Sequence, residues 1–287
     1  MARRNRFFKK RTMRKIWAAS LAAAAALLVT VNSEFSLNLP MVPTWEEVLE
    51  AAGSYGMENL SSSSSQLPQG GESSPSSDTP LPELLGETLE VHIIDVGQGE
   101  SILIKGPSKN VLIDAGENDK GDEVLAYLKS QGVQSLDMAI GTHAHSDHIG
   151  GLDTGMAAIP PDTLLMPRPP QTQLPTTKTY KDLLTQAAES QVKVVYSEPG
   201  QQLTYGDGRL TVLGPLENYD DLNDTSAVVL FRYGSQRFLF TGDMEARAEE
   251  DLLEEYGAAE LKAQVLKLGH HGSSTSTSAA FLDRVNP

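Results

Sequence analysis

The chain contains no cysteine among its 287 residues, so disulfide bridges and thiolate metal sites are both excluded. Basic residues are scarce as well, because 23 lysines and arginines stand against 38 acidic residues and give a formal net charge of -15. Residues 88–287 alone hold 15 basic and 29 acidic residues. A general nucleic-acid-binding surface is basic, and this composition therefore argues against one.

The few basic residues are concentrated at the N-terminus. Residues 1–15 contain eight of them and no acid, whereas residues 16–87 contain nine acids and no base. Directly after the basic cluster, residues 16–31 form an apolar run of 16 residues without a charge, which is typical of a secretory signal. Basic residues that precede such a run stay in the cytoplasm and direct the following chain outwards.

Residues 1–31 are therefore predicted to be either a signal peptide or a signal anchor. A complete membrane span needs about 20 apolar residues, so the run is short for a permanent anchor. No clean Ala-X-Ala cleavage site follows it, which favours the uncleaved form. In either case we expect an extracellular protein that is membrane-anchored through this segment or secreted.

Residues 32–87 are predicted to be an acidic linker rich in serine, proline and glycine. Five consecutive serines at 61–65 are followed by Gly70-Gly71 and then by three prolines. A segment of this composition has too little apolar surface to fold and behaves as a flexible spacer. A folded domain is then expected over residues 88–287.

From Thr88 onwards, runs rich in β-branched residues are interleaved with helical patterns, which predicts an α/β domain with buried sheets. Each candidate metal ligand lies where a predicted strand ends, which is the place where open α/β sheets put their sites. Strands are predicted at 89–96, 101–105, 110–114, 136–141, 163–166, 192–196, 202–205, 210–213, 227–233, 237–240 and 264–268. Helices are predicted at 122–131, 147–156, 180–190, 244–256 and 278–285.

Five of the six histidines fall in two short motifs. The first, Gly-Thr-His-Ala-His-Ser-Asp-His-Ile-Gly-Gly, places His143, His145, Asp147 and His148 within six residues, and the second is Gly-His-His-Gly-Ser at 269–273. Imidazole and carboxylate ligands suit zinc, iron or manganese, and open coordination positions on such ions activate water. A metal-dependent hydrolase is therefore the leading hypothesis.

Together with Thr241-Gly242-Asp243, the two histidine motifs resemble those of the metallo-β-lactamase fold in their order. More narrowly, the chain resembles the soluble hydrolase domain of ComEC-type competence proteins. The resemblance covers about residues 88–287 and rests on the stretches 95–104, 143–148, 223–230 with 238–243, and 266–274. The multi-spanning membrane domain of competence proteins does not occur in this sequence, so a stand-alone exported relative is expected.

The resemblance implies a four-layer αββα sandwich with a dinuclear metal site between the sheets. The implied metal ligands are His143, His145, Asp147, His148, Asp243, His270 and His271. The two earliest histidines would hold one ion and Asp147 with the histidine after it the other, while Asp243 would bridge the ions. The family pattern continues with further strands and a Gly-His-Pro motif, so the C-terminal part of the domain is expected to be missing.

Two features depart from the pattern. Many enzymes of this fold have a further histidine ligand between the first motif and the bridging aspartate, but no histidine lies between His148 and His270, a lack that ComEC-type domains share. The first metal site is then short of a ligand, which the second histidine of the pair, Asp114 or Asn223-Asp224 would supply. An oxygen-richer site disfavours an obligate zinc enzyme and favours manganese or iron as alternatives, so the expected cofactors are two divalent ions, zinc or manganese, with iron as a further candidate. Glu100 also stands where the competence pattern usually has Asp.

Asp147 and the His270-His271 pair are the candidate catalytic residues. One histidine of the pair is expected to bind metal and the other to contact substrate or orient a ligand, and the sequence does not distinguish them. The further candidates for contacting substrate or orienting a ligand are Asp95, Gln98, Asp114, Asn223 and Ser273.

These further candidates have structural alternatives. Asp95 and Asp114 each end a predicted strand and could equally cap a turn. Residues 97–99 predict a tight turn first and a substrate loop second. The serine-rich segment 273–278 would either cap the last helix or present amides to a phosphate oxygen.

We therefore expect an exported metal-dependent hydrolase in which two divalent ions activate a water molecule. The resemblance favours a phosphodiesterase or nuclease with a phosphoester substrate, and DNA is one candidate. The alternatives are a hydrolase of cell-wall phosphoesters, such as phosphocholine esters, and a metal-binding accessory of DNA uptake without turnover. The acidic composition argues against tight, sequence-independent DNA binding. The sequence does not specify an oligomeric state.

Overall fold

The computed structural model describes residues 88–169, 174–205 and 208–287. The predictions of a signal segment at 1–31 and of a linker at 32–87 concern residues outside these ranges. Within the described ranges, no helix is both long enough and apolar enough to cross a membrane.

The first half of the domain forms a six-stranded sheet. Its strands are β1 (Glu90–Ile93), β2 (Ile102–Lys105), β3 (Asn110–Ile113), β4 (Leu136–Ile140), β5 (Pro161–Met166) and β6 (Lys193–Tyr196). They lie side by side in sequence order. β1, β2 and β3 pair antiparallel, whereas β3 to β6 are parallel. The apolar runs in these strands suit a sheet that is covered on both faces.

The second half forms a five-stranded sheet. Its strands are β7 (Gln202–Tyr205), β8 (Gly208–Gly214), β9 (Val228–Tyr233), β10 (Gln236–Phe240) and β11 (Val265–Leu266), in the order β11-β10-β9-β8-β7. The strands predicted at 227–233 and 237–240 form a hairpin, β9 and β10, over Gly234-Ser235, and Gly234 supplies the positive φ of 57° that the tight turn requires. β11 pairs parallel with β10 at the edge of the sheet.

Helices cover the outer faces of both sheets. They are α1 (Gly121–Ser130), α2 (Ser146–Ile149), α3 (Leu152–Ala158), α4 (Lys178–Glu189), α5 (Ala246–Glu255), α6 (Ala258–Leu261) and α7 (Ala279–Val285). The segment predicted as helical at 147–156 is largely helical, but it is divided into α2 and α3 at Gly150-Gly151. The carbonyl of His148 accepts from the N–H of Ala115, and the N–H of Gly151 donates to Gly116. These contacts with the loop after β3 interrupt the helical hydrogen bonds between the two segments.

Three apolar layers hold these elements together. Alternate strand residues point to opposite faces, so Leu103 and Leu164 pack against α1, α3 and α4, while Ile102 and Leu165 pack between the sheets. The third layer joins the second sheet to α5, α6 and α7, with Phe281 fully buried. The layer order is therefore helix, sheet, sheet, helix, as the αββα prediction requires.

The functional segments follow the carboxyl ends of parallel strands. Asp114 follows β3, and the first histidine motif follows β4. In the second sheet, Asp243 follows β10, and the His270-His271 pair follows β11. The carboxyl ends of neighbouring parallel strands share one edge of a sheet, where α/β proteins place their ligand sites.

Candidate metal centre

β4 delivers the first histidine motif to the edge of the sheet. The strand ends at the fully buried Ile140, and His145 is extended, with φ -83° and ψ 149°, immediately before α2 begins at Ser146. Asp147 and His148 therefore project from a helical turn, whereas the two earlier histidines belong to the segment that precedes it.

Four side chains from three segments converge on one point, and we call them the four-donor cluster: Asp147, His148, Asp243 and His271. One ligand atom from each lies within 4.8 Å of the corresponding atoms of the other three. Nε2 of His148 is 3.1 Å from Oδ2 of Asp243 and 3.3 Å from Nε2 of His271. Nε2 of His271 is 3.3 Å from the same Asp243 oxygen and 3.5 Å from Oδ2 of Asp147. The structure thus brings together the ligands predicted for the second metal ion. Of the His270-His271 pair, it is His271 that joins them.

Asp114 orients His148 from behind the cluster. Nδ1 of His148 donates to Oδ2 of Asp114 over 2.7 Å, and both side chains are fully buried. The backbone N–H of Thr142 donates to Oδ1 of Asp114 at 2.8 Å, and its hydroxyl donates to Oδ2 at 2.6 Å. With Nδ1 engaged, Nε2 of His148 faces the cluster, which is the arrangement typical of a metal-binding histidine.

The loop after β1 holds Asp147. Nε2 of Gln98 donates to Oδ2 of Asp147 at 3.2 Å, and the N–H of Glu100 donates to its carbonyl at 3.1 Å. Gly99 has φ +116°, and a Cβ there would lie 2.1 Å from the Asp147 carbonyl oxygen. Only glycine accommodates both the positive φ and this close approach. The loop is therefore a support of the site as well as a turn.

His143 and His145 form a separate pair, the 143/145 pair. Nε2 of His143 lies 3.0 Å from Nδ1 of His145, and the ring centres are 4.7 Å apart. The ring of His143 also lies beside that of His148, with centres 4.2 Å apart. Over residues 88–169, 174–205 and 208–287, no group of three histidine or carboxylate donors within 4.8 Å includes either member of the pair. The predicted first site is thus present only as two adjacent histidines.

The charges of the four-donor cluster reinforce one another. Burial opposes protonation of His148, but the Asp114 and Asp243 carboxylates raise its pKa to about 10. Hydrogen bonds with Asp147 and Asp243 raise the pKa of His271 to about 9. The contact with His271 holds the pKa of Asp147 well below its usual range. Burial alone would raise the pKa of Asp243, but His148 and His271 hold it well below its usual range.

His143 differs from His148 and His271, because burial and the neighbouring His148 hold the pKa of His143 well below its usual value. His143 is therefore neutral in the metal-free protein at neutral pH, whereas His148 and His271 carry protons. A metal ion binds only deprotonated imidazole, so the four-donor cluster must release protons to bind one.

His270 lies beside the four-donor cluster without belonging to it, and it is held by Glu245. Its Nδ1 lies 2.6 Å from Oε1 of Glu245, which also accepts from Asn223 at 3.2 Å and from the hydroxyl of Thr275 at 2.9 Å. Nε2 of His270 is 4.0 Å from Oδ2 of Asp243. The side chains of His270 and His271 diverge because of the backbone conformation. Both residues have the positive φ of the left-handed region, 41° at His270 and 52° at His271. Strain of this kind costs energy and is concentrated at functional sites.

Two residues near the centre were not identified in the sequence as site residues. Glu245 follows Asp243 by two positions, and this short spacing is the feature of the sequence that could have indicated its proximity to the site. Lys267 lies two residues before the second histidine motif, and its ammonium group is 3.5 Å from Oδ1 of Asp243 and 2.6 Å from Oε2 of Glu100. Burial raises the pKa of Glu100, and Lys267 opposes that shift.

The remaining candidates have different positions. The exposed Asp95 accepts from the N–H of Gly97 at 3.0 Å and caps that turn, and it is not part of the cluster. Ser273 contacts Thr275 through its hydroxyl at 2.9 Å and is also outside the cluster. Ser278 caps α7 by accepting from Phe281. Oδ1 of Asn223 is buried and has no hydrogen-bond partner within the described part of the chain.

The chemistry of the four-donor cluster fits a divalent transition-metal ion. Two imidazoles and two carboxylates form a donor set that zinc, manganese and iron accept. A histidine whose other nitrogen donates to a buried carboxylate is the usual environment of a metal-binding imidazole. The structure therefore contains candidate ligands for at least one ion, and the number and identity of the ions stay predictions.

Comparisons with known proteins place this site in a family. Residues 94–287 match the family model described as Metallo-beta-lactamase superfamily. The chain is 30% identical over 217 residues to ComE operon protein 3 of Bacillus subtilis, covering 69% of this chain and 27% of that protein. It is 32% identical over 200 residues to competence protein ComA of Neisseria gonorrhoeae, covering 69% and 26%. It is 31% identical over 213 residues to Recombination protein 2 of Haemophilus influenzae, covering 71% and 24%.

The chain thus spans about a quarter of the length of these curated relatives. Among solved structures, a metallo-β-lactamase of Cronobacter sakazakii aligns with a TM-score of 0.45 and 14% identity, covering 68% of this chain and 90% of that one. A subclass B3 metallo-β-lactamase from a soil metagenome library aligns with a TM-score of 0.46 and 13% identity, covering 66% and 86%. The family match over most of the folded domain, at a site of histidines and carboxylates, shows that the chain belongs to the metallo-β-lactamase superfamily.

Proposed function

We propose that the protein is an exported, metal-dependent phosphodiesterase. The observation that supports this most directly is the four-donor cluster at the edge of the sheets. Behind the cluster, Asp114 accepts a hydrogen bond from His148 and orients that ligand. Enzymes of the superfamily are generally hydrolases, and the relatives at about 30% identity are named as competence and recombination proteins. Those names concern processes that handle DNA, which favours a phosphodiester over a β-lactam as the substrate class.

The roles of the chain's own residues follow from their contacts. When bound, divalent ions of the kind that suit this site lower the pKa of water and stabilise negative charge on an oxygen undergoing displacement. Asp114 holds His148 with Nε2 facing the cluster, and Gln98 holds the carboxylate of Asp147. Glu245 engages Nδ1 of His270, which leaves Nε2 of that histidine 4.0 Å from Oδ2 of Asp243 and available to contact a substrate.

The 143/145 pair is proposed to hold the second ion. The structure supplies two supports for this proposal. His143 is buried and neutral, which leaves an imidazole nitrogen available to a cation. Asn223, which the sequence offers as a further donor, has a buried amide oxygen, Oδ1, that is without a hydrogen-bond partner in the described ranges, while its amide nitrogen lies against Glu245.

The proposed location is the outer face of the cell membrane or the medium. The support is the basic cluster of residues 1–15 followed by the uncharged run at 16–31. Protease added to intact cells should remove the folded domain from an anchored form by cutting between residues 61 and 87. A full-length chain that stays protected in the cytoplasm would contradict the proposed export.

The activity is tested with the metal-loaded full chain on a panel of phosphodiesters. The panel comprises single-stranded and double-stranded DNA, a small chromogenic phosphodiester and a phosphocholine ester. We expect turnover of DNA or the small phosphodiester, its loss with chelator, and its return with zinc or manganese. His145→Ala and His148→Ala should each abolish it, whereas the exposed Asp162→Asn should not.

Each other outcome selects an alternative. Turnover of the phosphocholine ester alone would favour a cell-wall hydrolase over a nuclease. A protein that binds metal and hydrolyses nothing on the panel would favour a metal-binding accessory. Parental rates in both histidine variants would contradict hydrolysis at this site.

A further inference from the structure

Lys267 reaches the metal centre from the edge of the second sheet. It follows β11, and its N–H donates to the carbonyl of Leu239 in β10 at 2.9 Å. This backbone contact fixes the point from which the side chain starts. The side chain is only 16% exposed, which is low for a lysine, so its ammonium group must be held by partners within the protein.

Three oxygens hold this ammonium group. Nζ of Lys267 is 2.6 Å from Oε2 of Glu100, donates to the carbonyl of Gly242 at 2.8 Å, and lies 3.5 Å from Oδ1 of Asp243. The Glu100 side chain is 4% exposed. A charge pair this deeply buried is costly to form, and removing one partner leaves the other charge buried without compensation.

The two oxygens of Asp243 consequently face different groups. Oδ1 faces Lys267, whereas Oδ2 lies 3.1 Å from Nε2 of His148 and 3.3 Å from Nε2 of His271. The N–H of Asp243 also donates to Oγ of Ser226 at 3.0 Å, which fixes the backbone but leaves the carboxylate plane free to turn. Lys267 is the contact that opposes that rotation from the side away from the histidines.

We propose that Lys267, anchored by Glu100, is a positioning residue that turns Asp243 so that Oδ2 is presented to the metal centre. This inference rests on the metal centre of the proposed function and assigns a role to two residues that do not bind the ion themselves. The carboxylate would then be oriented before a metal ion arrives, which reduces the ordering that binding requires.

A positioning role and a pure charge effect predict opposite results. A lysine this close to Asp243 repels a divalent cation, so removing its charge alone would tighten metal binding. Loss of orientation would weaken binding instead, and partners that orient metal ligands typically contribute about 10- to 100-fold in affinity. The sign of the change therefore separates the two explanations.

The experiment measures the affinity of the metal-free full chain for zinc and, separately, for manganese, by competition with a chelator. We expect Lys267→Met to bind each ion about 10-fold or more weakly than the parent. Lys129→Met, an exposed lysine in α1, is the matched control and should bind as the parent does. Because the readout is binding, hydrolysis is not needed, and an inactive but metal-binding parent would leave this inference standing.

A second variant guards against a change that is merely structural. Lys267→Met leaves Glu100 buried without its counter-charge, which destabilises the fold by itself. Glu100→Gln/Lys267→Met removes both charges and should recover the melting temperature, yet it should still bind metal about 10-fold more weakly than Glu100→Gln alone. Equal affinity in those two proteins, or tighter binding by Lys267→Met, would overturn the positioning role. A parent that binds neither ion would overturn the metal centre and this role with it.

Discussion

The four-donor cluster and the 143/145 pair start from the same sequence motif but differ in how complete they are. The cluster combines two imidazoles with two carboxylates, all within 4.8 Å, and its histidines are oriented by Asp114 and by Asp243. The 143/145 pair consists of two histidines that contact each other, with Nε2 of His143 3.0 Å from Nδ1 of His145. Carboxylates from distant segments thus reach one half of the centre and not the other.

From this difference we expect the two halves of the proposed centre to bind metal ions one after the other. A position whose donors are already assembled loses little conformational freedom on binding, whereas the 143/145 pair must still recruit a donor such as Asn223. We therefore expect the four-donor cluster to fill first and the 143/145 pair to fill more weakly. The predictions below test that ranking.

The largest effect is expected from Asp243→Ala, which removes a donor at the centre of the cluster. The variant should lose the tighter ion altogether, with an affinity reduced by more than about 100-fold, because even indirect partners of metal ligands contribute 10- to 100-fold. Elemental analysis after dialysis against a low metal concentration measures the remaining ions. An unchanged metal content in this variant would show that the cluster is not the tighter site, and loss of both ions would support the predicted bridging by Asp243.

The second prediction compares the two adjacent histidines of the Gly-His-His-Gly motif. His271→Ala should weaken the tighter ion by about 100-fold, whereas His270→Ala should weaken it by less than about 10-fold, because only His271 joins the four-donor cluster. The two variants are matched controls for each other, since they remove the same group from neighbouring left-handed residues. The chelator competition assay reports both affinities. A larger loss in His270→Ala would reverse the ligand assignment.

These two histidines show where sequence reasoning reached its limit. The motif order identified the family, and the β-branched runs located the strands to within a few residues, because buried sheets impose a strong composition. The choice between His270 and His271 depends on the left-handed backbone at both positions, which has no signature in their side chains. The same holds for α2 and α3, whose separation follows from contacts with the loop at Ala115 and Gly116.

Lys267 and Glu100 illustrate a second limit. Each lies in a stretch that carries the resemblance, but their contact joins residues far apart in the chain across the two sheets. A pattern based on neighbouring residues carries no information about such a pair. The sequence shows that Glu100 replaces the Asp of the competence pattern. Only the structure shows that this glutamate contacts Lys267.

The third prediction concerns pH and separates the two halves of the centre by their protons. His148 and His271 have raised pKa values of about 10 and about 9, so in the metal-free protein both are protonated at neutral pH. A metal ion must displace these protons, and its affinity for the cluster should therefore rise with pH, by about 100-fold per unit up to about pH 9 and by about 10-fold per unit from there to about pH 10. His143 has a lowered pKa and releases no proton.

Calorimetry in buffers of different ionisation enthalpy counts the protons released. We expect about two for the tighter ion at pH 7, because both raised histidines belong to the four-donor cluster. His143→Ala should leave that number unchanged for the tighter ion. A tighter ion that binds without proton release would contradict the assignment of the four-donor cluster as the tighter site.

The smallest effect on the centre is expected from the glycines of the loop that supports Asp147. Gly99→Ala would place a Cβ 2.1 Å from the Asp147 carbonyl oxygen at φ +116°, so the loop must shift and the free energy of unfolding should fall by about 1–3 kcal/mol. Gly97→Ala is the matched control, because its φ of +73° imposes backbone strain but no atom lies within 4 Å of the added methyl group. It should cost about 1 kcal/mol.

Denaturant unfolding of both metal-free variants measures the loss in the free energy of unfolding. Metal titration then shows whether the same substitutions also change the affinity of the centre for metal. Gly99→Ala should also weaken the tighter ion, by a factor below that of His271→Ala, because the carbonyl it displaces belongs to a ligand residue. Ions at the 143/145 pair should bind as in the parent, since Gly99 contacts only the Asp147 side. Equal stability losses at Gly97 and Gly99, with unchanged metal affinity in both, would mean that the loop is a turn without a role in holding Asp147.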